Sequence, residues 1–204
     1  MDGALAVGAV AGTWRQAAGR SHGHHGRPGH RLDGSGTGGK WRLRLSVTVW
    51  RIATDTPDYE ADDLSGAGAE RTGGRWNEAG APMVYTSETQ ALACLETIVH
   101  LNTGGLPLNR FLVSITIPEA IWMAARVETS ASVPAGWDAE PAGRASIRFG
   151  TIWSRSRASA LLRVPSIIVP DECNVLINPL HPDTPGIRAV KMRRWLYDPR
   201  LQRF

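Results

Sequence analysis

Hydrophobic and polar positions follow two different periods along this chain, and the change of period separates its elements. Val47 to Ile52 (VTVWRI) is β-branched and aromatic, the composition of a strand. Met83 to Thr86 is a shorter strand candidate, Phe111 to Ile117 (FLVSITI) a third closed by Pro118, and Ile187 to Leu196 the last. Leu161 to Val164, Ser166 to Val169 and Asn174 to Ile177 are short apolar runs divided by Pro165 and Pro170. Proline has no backbone donor, so these runs are expected at strand ends and sheet edges.

Helical spacing appears where Ala91, Leu92, Leu95, Ile98 and Val99 form one apolar stripe, ending before Gly104-Gly105. Ser87-x-x-Gln90 ahead of it is a capping-box pattern, which predicts a helix starting at Ser87. Residues 119–125 predict one or two helical turns, 126–144 a loop, and Ser146 to Ser156 a helix weakened by Gly150. Ala53 to Pro82 is a long polar stretch punctuated by glycines, and connections of that length inside a domain tend to be functional or mobile. The pattern as a whole, several short strands with one or two intervening helices, predicts a compact α+β domain.

Composition sharpens this picture by dividing the chain. The 204 residues are 42% hydrophobic and 21% charged, enough for a buried core. The formal charge of +4 is unevenly spread: residues 1–46 hold 7 basic and 2 acidic residues, and residues 47–204 hold 16 basic and 17 acidic. The domain proper is therefore expected at 47–204, and its near neutrality offers no general electrostatic case for nucleic acid. The first 46 residues also contain 11 of the 22 glycines. Two readings stand for this extension. One is a disordered, solvated segment that cannot recover its ordering entropy by burial. The other is a flexible chelator built on His22, His24, His25 and His30. A start codon set upstream of the true one would also account for it. No window approaches 18 uninterrupted apolar residues, against an ordinary membrane-spanning helix. Cys94 and Cys173 are too few for a disulfide scaffold, so a reducing cytoplasm is expected.

Several catalytic patterns are absent, among them a phosphate-binding P-loop, a dinucleotide-binding G-x-G-x-x-G, H-E-x-x-H and G-x-S-x-G. His100 and His181 are the only histidines of the domain, so no metal site is expected there. Cys94 reads as a small core residue, since no electropositive setting for a reactive thiol is visible. Gly73-Gly74-Arg75-Trp76-Asn77 sets a guanidinium after two glycines, where backbone can approach a ligand closely. Its planar fork suits a pyrophosphate or carboxylate, unless it is an arginine in a surface turn. Tyr85 is either a stacking surface or a core aromatic. Glu96 sits beside the apolar stripe, where a carboxylate either reaches solvent or is held by a partner. Ser166 follows a proline, where hydroxyls commonly cap turns.

Taken in order, these segments resemble the RES-domain family, bacterial toxins of toxin–antitoxin pairs named for an Arg, a Glu and a Ser. The matching stretches are GGRWNEAGAPMVYTSETQALACLETIVH (Gly73 to His100) and LLRVPSIIVPDECNVLINPLHPD (Leu161 to Asp183), with VWRI (Val49 to Ile52) and YDPRL (Tyr197 to Leu201). The resemblance covers about residues 47–201. It implies a fold similar to the ADP-ribosyltransferase domains of exotoxins, with short strands in two small sheets and flanking helices, and NAD⁺ as substrate with no tightly bound cofactor. It assigns Arg75, Glu96 and Ser166 as the catalytic trio, with Arg75, Asn77, Tyr85 and Ser166 contacting the dinucleotide. It implies NAD⁺ depletion by hydrolysis, or by phosphorolysis with phosphate as co-substrate, or ADP-ribosylation of a protein. The partner implied is an Xre-like helix-turn-helix antitoxin that occludes the site, so the toxin meets DNA only through it and forms a hetero-oligomer. The rival from another class is a non-catalytic module binding nucleic acid or a membrane through the basic extension.

Overall fold

The computed structural model describes residues 45–100 and 107–202; the basic extension and the expected helix end at Gly104-Gly105 lie outside them. Seven strands form one sheet: β1 (Ser46–Thr54), β2 (Val84–Ser87), β3 (Arg110–Pro118), β4 (Arg126–Val127), β5 (Leu161–Pro165), β6 (Cys173–Ile177) and β7 (Arg188–Trp195). Their spatial order is β4-β5-β6-β2-β1-β3-β7, antiparallel except for the β4–β5 pair. Among the described residues four α-helices accompany them: α1 (Ala67–Thr72), α2 (Gln90–Ile98), α3 (Glu119–Met123) and α4 (Arg144–Ser156). Among the described residues no helix is long and apolar enough to cross a membrane.

One joint shapes the sheet. β1 pairs with β3 along its whole length, from Ser46↔Pro118 to Thr54↔Arg110, but meets β2 at the single position Trp50↔Ser87. The expected two small sheets are thus two halves of one, hinged at that pair and diverging on either side of it. Strand alternation then assigns each half an inner and an outer face. Val49, Val113, Ile115 and Ile117 of one half pack with Val84, Leu161, Val175 and Ile177 of the other in a common core. Behind the first half, α2 buries Ala93 against Ile52, Leu112 and Tyr197. Behind the second, Trp153 of α4 packs with Leu162, Val164 and Leu176.

Four local expectations are corrected. The proline-flanked runs Leu161–Val164 and Asn174–Ile177 are interior strands, because Pro165 occupies the last position of β5. Ser166–Val169 is a turn rather than a strand: the Ser166 hydroxyl accepts the Ile168 and Val169 N–H groups and bends the chain. Helix α2, expected from Ser87, begins at Gln90, capped by the Thr89 hydroxyl on the Leu92 N–H, while Ser87 stays extended between Trp50 and Asn174. The buried side of α2 is also turned from the expected stripe. Leu92 and Ala93 are buried, and Ala91, Leu95 and Val99 are exposed.

Candidate active site

Where β1 and β2 part, a cleft of about 630 Å³ opens, within the size range of small-molecule sites. Its walls bring together Arg51 and Trp50 of β1, Tyr85 and Ser87 of β2, Glu96 and Thr97 of α2, Arg75 of the long loop, and Asn174 of β6. Both signs of charge line it, with Arg51, Arg75 and Arg110 facing a space shared with Asp63, Glu96 and Glu140.

The carboxylate of Glu96 is held from one side. Ser166 Oγ donates to its Oε1 at 2.8 Å, and Asn174 Nδ2 donates to the same oxygen. Each of these donors is itself oriented. The Ser166 hydroxyl has two lone pairs and one proton; the Ile168 and Val169 N–H groups take the lone pairs, so the proton goes to Glu96. Asn174 Oδ1 accepts from Ser87 Oγ at 2.7 Å, which turns its amide nitrogen toward the acid. Among the described residues both side-chain bonds fall on Oε1. Glu96 therefore is neither a free surface acid nor a buried orphan.

Arg75 is presented by a turn built on close approaches. A Cβ at Gly74 would stand 2.6 Å from the Tyr85 hydroxyl, so only glycine lets that hydroxyl reach the turn. The Tyr85 oxygen accepts the Trp76 N–H at 2.9 Å and donates to Asn77 Oδ1 at 2.7 Å. Asn77 Nδ2 donates to the Ala69 and Ala81 carbonyls, both at 2.8 Å, tying α1 to the return of the loop. From below, α4 touches the same turn: a Cβ at Gly150 would lie 2.0 Å from the Trp76 carbonyl oxygen, and Thr151 Oγ1 accepts the Glu78 N–H. Gly150, which weakens the helix by propensity, is what permits that contact. Above the turn, the Arg75 guanidinium donates to the Trp137 and Ala139 carbonyls and to Glu140 Oε2.

The sequence-predicted residues thus take different stations. Arg75, Tyr85 and Glu96 line one cleft. Ser166, only 1% exposed, is not among the residues lining it; it stands behind Glu96, with its hydroxyl on the acid. Asn77, fully buried, is likewise not among the lining residues, and its amide is engaged by Tyr85 and the carbonyls of Ala69, Glu78 and Ala81. Burial pushes the Tyr85 phenol far above its ordinary range, so it stays a neutral donor. Burial lowers the Arg51 guanidinium from its ordinary value, with Asp63, Tyr59 and Asp62 partly restoring it; its Nη1 donates to the Asp63 carbonyl. Sequence reasoning missed Asn174 and Arg51. Each was visible only as a polar residue inside an apolar strand run, CNVLI and VWRIA.

The cleft belongs to a recognisable family. Residues 48–199 match the family model described as the RES domain. The chain belongs to the RES-domain family. A relative named "Prs ADP-ribosylating toxin", from Sphingobium sp. (strain YBL2), is 62% identical over 159 residues, which are 78% of this chain and 99% of that protein. One named "Toxin Res", from Yersinia enterocolitica, is 34% identical over 145 residues, 71% of this chain and 93% of that one. The RES domain also resembles a chain in the crystal structure of the M. tuberculosis MbcT–MbcA toxin–antitoxin complex, with a TM-score of 0.54. That match covers 74% of this chain and 86% of the other at 16% identity, and is a likeness of fold. The blocks carrying the resemblance, Gly73 to His100 and Leu161 to Asp183, supply Arg75, Tyr85, Glu96, Ser166 and Asn174 of this RES domain.

Proposed function

We propose that this RES domain is the toxin of a toxin–antitoxin pair and breaks the nicotinamide–ribose bond of NAD⁺, depleting the cytoplasmic pool by hydrolysis or phosphorolysis. The observation that carries the reading is the Glu96 carboxylate, braced on Oε1 by Ser166 and Asn174 and sharing a cleft with Arg75 and Tyr85. Cleaving that bond sends its electron pair out with nicotinamide, which leaves neutral and needs no acid. Positive charge grows on the ribose, as in glycoside cleavage. A braced carboxylate favours that state over the ground state, because its attraction grows with the charge. In this reading Glu96 Oε2 meets the ribose hydroxyls and Arg75 takes the pyrophosphate. Tyr85 offers its ring to the nicotinamide or ribose face, Ser166 and Asn174 hold the acid, and Arg51 adds a second cation. An oxygen acceptor, water or phosphate, then bonds to the ribose carbon and gives up its proton to solvent or to Glu96.

A second reading changes only the acceptor, to a protein side chain, and the name of the Sphingobium relative favours it. The structural neighbour comes from a toxin–antitoxin complex, which supports an antitoxin partner; we assign it as an Xre-like helix-turn-helix protein that covers the cleft. The test is nicotinamide release by the purified protein, with and without phosphate, alongside transfer of labelled ADP-ribose to lysate protein. Glu96→Gln should lower turnover by about a hundred- to thousand-fold with the fold intact. Wild-type turnover in that variant would remove Glu96 from the mechanism. Salt-sensitive nucleic-acid or vesicle binding lost on deleting residues 1–46, with no NAD⁺ consumption, would instead establish the binding-module reading.

A further inference from the structure

One carboxylate of the cleft lining sits on Arg75. Glu140 lines the same cleft as Glu96, and its Oε2 accepts from Arg75 Nη2 at 2.7 Å. The Arg75 Nη1 is engaged by the Trp137 and Ala139 carbonyls at 3.1 and 2.8 Å. Those two bonds join the turn to the segment that carries Glu140, so the guanidinium is anchored there by backbone. The other terminal nitrogen, Nη2, is covered by an acid. The two partners are unequally placed: the Arg75 side chain is 17% exposed and the Glu140 side chain 79%. Arg75 is therefore the fixed member and Glu140 the detachable one.

We infer that Glu140 is a specificity-determining residue, a resident anion on Arg75 that any incoming phosphate must displace. The inference rests on the reading of Arg75 as the pyrophosphate ligand. Glu140 meets the guanidinium through Oε2 alone, at Nη2, and an anionic phosphate oxygen is an acceptor of the same kind that can take that place. An exposed ion pair contributes little, which keeps the exchange open to a dianion. A ligand with one weak acceptor gains nothing by the swap, and the pair stays closed. Glu140 thereby excludes ligands whose acceptor is too weak to displace it and admits those that bring a phosphate to Nη2. A bracing role for Glu140 gives the opposite sign, since removing a brace loosens Arg75 and weakens anion binding.

Calorimetric titration of the full chain with inorganic pyrophosphate, wild type against Glu140→Gln, separates the two signs without relying on turnover. Glu140→Gln should bind pyrophosphate about five-fold more tightly, the factor corresponding to the upper range of an exposed pair. The same variant should show a lower KM for NAD⁺, with the gain in KM rather than in kcat. Equal or weaker pyrophosphate binding in Glu140→Gln, or no binding by either protein, overturns the inference. A wild-type protein that binds pyrophosphate in the expected order but consumes no NAD⁺ sinks the proposed reaction and leaves the role of Glu140 standing. Circular dichroism of Glu140→Gln confirms the fold, as expected for an exposed side chain.

Discussion

Ser166 and Glu96 lie 70 positions apart in the chain, and the hydroxyl of one donates to Oε1 of the other at 2.8 Å. Because both lone pairs of that hydroxyl are taken by backbone N–H groups of its own turn, its proton has one destination. The turn after β5 and the helix after β2 are thereby coupled at a single oxygen. The acid is held in place by chain that lies across the fold from it.

Ser166→Ala removes this brace and strips two backbone donors of their acceptor. Both donors are part-buried, so leaving them without that acceptor costs about 1 kcal/mol, the low end for an unpaired group. We expect a lower melting temperature, and a kcat for NAD⁺ reduced about ten-fold, well short of the loss in Glu96→Gln, since an acid lacking one donor still carries its charge. Thermal denaturation and nicotinamide release measure the two effects. An unchanged kcat would show that the hydroxyl serves its own turn and nothing more.

Asn174→Asp is nearly isosteric but replaces the donor on Glu96 with a second acceptor of like charge. Asn174→Ala only removes the donor. Like charges in contact repel more than a missing hydrogen bond costs, so the aspartate variant should be the less active of the two at neutral pH. Steady-state rates of both variants decide it. Equal rates would mean that water separates the pair.

Tyr85→Phe deletes an atom that accepts from Trp76 and donates to Asn77, and leaves the buried Asn77 Oδ1 bare. The variant should lose about 1–3 kcal/mol. It should also change the response to alkali. Burial raises the Tyr85 phenol in the folded state, so below about pH 10 folded and unfolded chains hold the same proton and the shift contributes nothing. Above ~10 the unfolded chain releases a proton that the folded one retains, so stability falls as pH rises. Burial raises Tyr197 as well, with the same sign. Melting temperatures of wild type and Tyr85→Phe across ~9–11 should converge as pH increases; a constant gap would contradict the buried-phenol account.

Gly150→Ala improves helix propensity by about 1 kcal/mol, yet its Cβ meets backbone 2.0 Å away. Overpacking of that kind costs about 3 kcal/mol, so the net effect is destabilising by about 2. The displaced group is the Trp76 carbonyl, beside Arg75. The KM for NAD⁺ should therefore rise together with the loss of stability. A more stable Gly150→Ala protein with unaltered KM would show that the turn moves aside freely.

Strands β1, β3 and β7 and helix α4 were legible because their signals are local: alternation, β-branching and helical spacing act within a few residues. The start of α2 was misread because hydroxyls at Ser87 and Thr89 can both cap a first turn, and only the pairing of Ser87 with Trp50 and Asn174 removes one of them. The edge assignment of β5 and β6 failed for a related reason. Proline excludes a residue from the ladder only where its missing N–H would have been used, and Pro165 ends its strand.

By itself, the sequence determined a mixed α/β domain beyond a basic extension, the strand candidates, and an arginine, a tyrosine and a glutamate as residues to watch. Tertiary structure decided what each of them is for. It set Ser166 and Asn77 behind their neighbours rather than in the cleft, added Asn174 and Arg51, and placed Glu140 on Arg75. The physical reason is range. Propensity and periodicity are written in neighbouring side chains, whereas the direction of a hydroxyl proton or the partner of a guanidinium depends on groups brought near only when two halves of a sheet close on a common core.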